Sequence, residues 1–164
     1  MLLSQDPIVW LPADLFHELE QESGRVYPLE TGGVLLGYRS SDHWVVDGAL
    51  GPGPRARHRP HGFEPDHQWH AEKLRLRFVA SAGGERYLGD WHSHPGGALA
   101  LSRTDLKALR QIIESLEART PEPLSALLAG RPSEWQIGIW RACLVPKPWR
   151  RARLELTRAT LRLR

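Results

Sequence analysis

GDWHSHPGGALALSRTD, residues 89–105, joins a strand pattern to a helix start through a loop of small residues. Successive side chains on a strand alternate between faces, so His92 and His94 point the same way. Pro95 ends strand pairing, and Gly96-Gly97 lets the backbone bend sharply. Ser102 and Asp105 follow at the start of a helix predicted over Arg103–Glu117, and one helical turn brings them to the same side. Two imidazoles and one carboxylate suit zinc, which takes such ligands at about 2.0–2.2 Å and leaves a fourth position to water in catalytic sites. Ser-x-x-Asp is equally a capping box, whose side chains satisfy N–H groups at a helix start. The two uses of Asp105 do not exclude each other.

On either side, strand and helix patterns alternate. Ile8–Leu11 reads as a strand, and Pro12 opens a helix with Leu15, Phe16 and Leu19 inward and Gly24 at its end. The continuous run Val34–Tyr38 predicts a strand buried on both faces, with Trp44–Leu50 as its partner across a turn at Ser40–Asp42. GPGPRARHRPHG, residues 51–62, reads as a loop. Pro65-Asp66 start a second helix with Ala71, Leu74 and Phe78 as its core stripe. Arg86–His94 is the strand that enters the opening stretch, and Leu106, Leu109, Ile113 and Leu116 face inward on the helix that leaves it. Leu124–Leu128 and Trp135–Val145 predict two more strands, Pro146 and Pro148 interrupt, and Arg153–Thr157 alternates enough for a last one. The expected fold is α/β (α+β), one domain over residues 1–164, with a core at about 7–145 and a basic extension at 146–164.

The 164 residues suffice for one domain with a real core. No apolar run approaches the roughly 18 residues that cross a membrane. The start, MLLSQDPIVW, lacks the basic, apolar and small-residue sections of a signal peptide. Cys143 stands alone in WRACLV and reads as a buried thiol in a reducing cytoplasm. The net charge is +3, and arginines crowd the last stretch with Glu155 alone against them. Aromatics are not interleaved there at regular spacing, so a nucleic-acid surface is the disfavoured reading.

His92-Ser93-His94-Pro95, the spacer, and Ser102-x-x-Asp105 resemble the JAMM motif of the MPN-plus metalloproteases. That motif includes a glutamate well upstream, and Glu30, directly before Thr31-Gly32-Gly33, resembles it. Phe63-Glu64-Pro65-Asp66 and Gly89-Asp90-Trp91 resemble the compact prokaryotic JAB branch in particular. The likeness spans roughly Pro7 to Val145, and Leu101 departs from it where many relatives carry proline. It implies an MPN/JAB domain, a mixed curved sheet with flanking helices and a cytidine-deaminase-like architecture. It also implies one zinc ion on His92, His94 and Asp105, Glu30 as general base, and Ser102 as oxyanion donor. The implied activity is cleavage after the C-terminal glycine of a bacterial ubiquitin-like protein, for deconjugation or precursor maturation. Homologues of activating and conjugating enzymes would be its companions, in antiviral or sulfur-carrier operons.

Other readings remain open. A non-catalytic MPN scaffold would have lost ligands that are present here, and a DNA role rests only on the basic C-terminal stretch. A nucleoside deaminase needs a Cys-x-x-Cys pair, which a single cysteine cannot supply. His67 and His70 have helical spacing for a second metal, but solvated or core-edge histidines fit as well. Asp90 shares a strand face with His92, where it could orient that ligand. Trp91 and Ser93 face the other way and are expected to pack.

Overall fold

A computed structural model describes residues 6–164. Most of the leader reading falls on residues 1–5, which lie outside the described residues. Strand β1 (Ile8–Leu11), helix α1 (Ala13–Val26), β2 (Gly32–Ser40) and β3 (His43–Leu50) come first. A small hairpin, β4 (Arg57–Arg59) and β5 (Gly62–Glu64), precedes α2 (His67–Ala80) and β6 (Arg86–Pro95). The chain continues through α3 (Arg103–Glu114), β7 (Leu124–Gly130), β8 (Gln136–Lys147), β9 (Arg150–Arg158) and β10 (Thr160–Leu163). Eight strands form one mixed sheet in the order β10-β1-β3-β2-β6-β7-β8-β9. β1 runs parallel to both β10 and β3, β6 runs parallel to β7, and the other neighbours are antiparallel.

The central strands are the most apolar, as burial on both faces requires. Alternation along β2 divides the packing. Leu35 joins the main core with Leu15 and Leu19 of α1, together with Trp44, Trp91 and Leu128. Val34 and Leu36 face the opposite side, where Trp69 and Leu74 of α2 cover them. The sheet thus lies between α1 on one face and α2 on the other, and α3 sits beside β8. No helix among the described residues is long and apolar enough to cross a membrane.

Several expectations need correction. α1 passes Gly24 and stops at Val26, because Pro28 lacks the N–H to continue it. The loop read at 51–62 contains β4 and the start of the β4–β5 hairpin, whose strands are too short to show alternation. On α2 the inward residues are Trp69, His70 and Leu74, whereas Ala71 and Phe78 are exposed. Helix α3 ends at Glu114, so Leu116 lies beyond it and is 92% exposed. Cys143 is only half-buried, on β8 opposite Glu155. The segment set apart from residue 146 onward is part of the sheet. β8 carries Pro146 at a register shift, where a missing ladder N–H is tolerated, and β9 and β10 follow. Its arginines also find acids from distant segments. Arg151 reaches Glu114 at 3.1 Å, and Arg164 reaches Asp47 at 2.8 Å.

Candidate metal centre

β6 and the start of α3 bring the triad together. His92 Nε2 lies 3.2 Å from His94 Nε2 and 3.2 Å from Asp105 Oδ1. His94 Nε2 lies 3.4 Å from Asp105 Oδ2. Ligand atoms around a tetrahedral ion with bonds near 2.0–2.1 Å are themselves about 3.3–3.4 Å apart. The donor set and its spacing therefore fit such an ion without rearrangement. Among the described residues, these three are the one His, Cys, Asp or Glu group close enough to hold a metal. His67 and His70 gain no third partner, and His70 instead places Nε2 2.7 Å from the Gly51 carbonyl.

Ser102 is the N-cap of α3, and the capping box is complete. Ser102 Oγ accepts the Asp105 N–H at 3.2 Å, and Asp105 Oδ2 accepts the Ser102 N–H at 2.6 Å. The cap uses a lone pair of the serine oxygen, and the hydroxyl proton has the Asp105 carboxylate within donating reach. Burial pushes the Asp105 pKa up, but hydrogen bonds from His92, His94 and Ser102 together hold it far below the carboxylate range. The hydrogen bond to Asp105 in turn raises the His94 pKa against the effect of burial.

Glu30 reaches the same site from the turn before β2. Burial raises its pKa, and the positive field of His94, His92 and His61 opposes that rise. Four bonds fix the backbone around it. The Glu30 N–H donates to the Arg59 carbonyl at 2.8 Å, and His58 Nδ1 lies 2.9 Å from the Glu30 carbonyl. The Thr31 N–H donates to Ser93 Oγ at 3.0 Å, and the Ser93 N–H donates to the Thr31 carbonyl at 2.8 Å. Ser93 and Trp91 do face away from the triad and are fully or nearly fully buried.

Two glycines after Thr31 allow this fit, because the neighbouring strands leave no room for a Cβ at either position. A Cβ on Gly32 would sit 2.3 Å from the Trp91 carbonyl oxygen. One on Gly33 would sit 1.9 Å from the Leu50 carbonyl oxygen, which accepts the Trp91 indole N–H at 3.0 Å. Asp90 does not orient His92 by a hydrogen bond. Its Oδ1 accepts the Tyr87 hydroxyl at 2.9 Å, and burial raises its pKa.

Glu30, His92, His94, Ser102 and Asp105 all line one groove of about 2300 Å³. The hairpin tip Pro60-His61-Gly62 and Phe63 form part of one wall. His58 and Ser93 were not legible as site residues, because their bonds to the Glu30 region span 28 and 62 positions of sequence.

Residues 12–142 match the family described as prokaryotic homologs of the JAB domain. The chain is 33% identical over 156 residues to a probable metalloprotease, y4qB, of Sinorhizobium fredii NGR234, covering 94% of this chain and 95% of that protein. It is 32% identical over 106 residues to CD-NTase/cGAS isopeptidases of Escherichia coli TW11681 and of Vibrio cholerae El Tor N16961, covering 65% of each chain. The solution structure of protein DSY2949 from Desulfitobacterium hafniense superposes with a TM-score of 0.66 at 16% identity, over 96% of this chain and 93% of that one.

Proposed function

The chain belongs to the prokaryotic homologs of the JAB domain, and on that premise we propose that it is a zinc-dependent peptidase of the cytoplasm. Its substrate is the bond after the C-terminal glycine of a bacterial ubiquitin-like protein, joined to a lysine side chain or to a following peptide. The carrying observation is convergence. A triad with tetrahedral spacing, a carboxylate of raised pKa and the Ser102 hydroxyl share one groove. The names of the relatives, a probable metalloprotease and isopeptidases, support the same reading.

His92, His94 and Asp105 would hold the zinc ion. When bound, zinc polarises a carbonyl and lowers the pKa of water toward neutrality. Glu30 takes the proton from the attacking water and delivers it to the leaving amine. Its raised pKa suits both halves of that task, because a group poised nearer neutrality both accepts and returns a proton. Ser102 donates its hydroxyl proton to the oxygen that gains charge as the carbonyl is attacked. The substrate tail lies extended in the groove beside the β4–β5 hairpin, where an added strand would find backbone partners. A non-catalytic scaffold is disfavoured, because none of the five positions has been lost.

The test uses a ubiquitin-like protein fused through its terminal glycine to a reporter, and the same protein linked to lysine. The wild-type protein should bind one zinc and cleave. Glu30→Gln should keep its zinc and lose at least about 10²-fold in rate. His92→Ala should lose most of its metal, since two protein ligands hold zinc weakly. Undiminished zinc in His92→Ala, or wild-type cleavage by Glu30→Gln, would overturn the assignment.

A further inference from the structure

We propose that His58 is a positioning residue for Glu30, and that the β4–β5 hairpin works as the outer jaw of a clamp on that glutamate. The proposal rests on the reading of Glu30 as the general base. Glu30 lies in neither helix nor strand, between the turn that ends α1 and the first residue of β2. Its own backbone therefore has no sheet ladder to fix it. The inner bonds come one residue later, from Ser93 on the metal-bearing strand to Thr31. Those to Glu30 itself come from the hairpin, where Arg59 accepts its N–H at 2.8 Å and His58 lies 2.9 Å from its carbonyl oxygen.

A carbonyl oxygen only accepts, so His58 must donate from Nδ1–H. Neutral His58 is then held with its proton on Nδ1 and with Nε2 bare. The ring is also seated on its far side. It stacks on Phe63 across the hairpin, with centroids 5.7 Å apart. Phe63 in turn closes on Gly32, where its ring edge would lie 3.0 Å from an added Cβ. His58 and Arg59 thus grip Glu30 from one side and Phe63 closes on Gly32, while Thr31 between them is held from the other side by Ser93. The hairpin tip carries His61, which lines the same groove as Glu30. Substrate that touches this wall also touches the support of the base.

A glutamate side chain has three rotatable bonds, and releasing its carbonyl lets the carboxylate wander from the attacking water. Misplacements of about 1 Å remote from the chemistry cost up to about 10²-fold in rate. His58→Ala should therefore lower kcat by about 10-fold or more, with zinc content unchanged. His58→Asn offers an amide N–H at the position of Nδ1 and should restore most of the rate. His58→Gln puts its N–H near the place of Nε2 and should not. In a Glu30→Gln background, His58→Ala should cause no further loss, since both act on one step. Nitrogen NMR of the metal-free protein should show His58 as the Nδ1–H tautomer.

If Glu30→Gln is inactive while His58→Ala cleaves at the wild-type rate, the positioning role is wrong and the reading of Glu30 stands. If Glu30→Gln is itself fully active, the functional reading fails first. Equal rates for His58→Asn and His58→Gln, or an Nε2–H tautomer, also overturn the proposal. Should His58→Ala not fold, the Asn and Gln variants carry the comparison.

Discussion

Ser102 holds a helix start and, in the proposed reaction, stabilises an oxyanion, and the two duties separate by substitution. Ser102→Ala removes one half of the capping box, the 3.2 Å bond from the Asp105 N–H. The other half, from the Ser102 N–H to Asp105 Oδ2, uses backbone and survives. Loss of an N-cap to alanine costs about 0.5–2 kcal/mol, and glycine at the same position costs only a few tenths. With half the box retained and the residue exposed to water, the alanine variant should fall near 0.5–1 kcal/mol and the glycine variant near zero. Both lack the hydroxyl equally, so both should lose about 10²–10³-fold in turnover. Denaturant midpoints, metal content and cleavage rates measured on the same preparations give the comparison. Activity that follows stability, with the glycine variant near wild type, would show that Ser102 only caps. Equal loss of activity at unequal stability is the expected result.

Ser93→Ala leaves the Thr31 N–H buried without its partner and should destabilise the protein by about 1–3 kcal/mol, read as a lower urea midpoint at unchanged slope. An unchanged midpoint would mean that Thr31 finds another acceptor. Burial raises the Glu30 pKa in the folded protein, so its contribution to stability is greatest below the unfolded value and declines as pH rises through the folded one. Metal-free Glu30→Gln should therefore be more stable than wild type at pH 7, with the gain shrinking as pH falls toward about 4. A gain independent of pH would refute the electrostatic cause.

The sequence showed those features whose logic is local. Alternation placed His92 and His94 on one strand face, and the spacing of Ser102 and Asp105 announced a helix start that the structure shows fully capped. The continuous run at Val34–Tyr38 marked the centre of the sheet, although Tyr38 at its end is exposed rather than buried on both faces. What stayed hidden depends on distant partners. The β4–β5 hairpin lies among glycines and prolines, and it matters because of what it grips. α2 has no clean stripe, since a histidine and a tryptophan do much of its inward packing while Leu76 and Val79 face solvent. The arginines near the C-terminus looked like an uncompensated block because the acids that meet them, Glu114 and Asp47, come from α3 and β3.

The edge formed by β10 has a consequence for how the protein is made. β10 lies parallel to β1, with Ile8 opposite Thr160 and Leu11 opposite Leu163. Helix α1 has no side-chain cap at Pro12, and its Ala13 N–H donates to the Arg164 carbonyl at 2.9 Å. A growing chain therefore presents β1 with one side unpaired, and α1 with an unanswered N–H, until about 150 further residues have been translated. A bare strand edge invites pairing with other chains, and closure over such a span is slow. Nascent chains halted in β9 would carry the candidate metal centre on a sheet whose β1 edge is still bare, and such an edge is prone to pair with other chains.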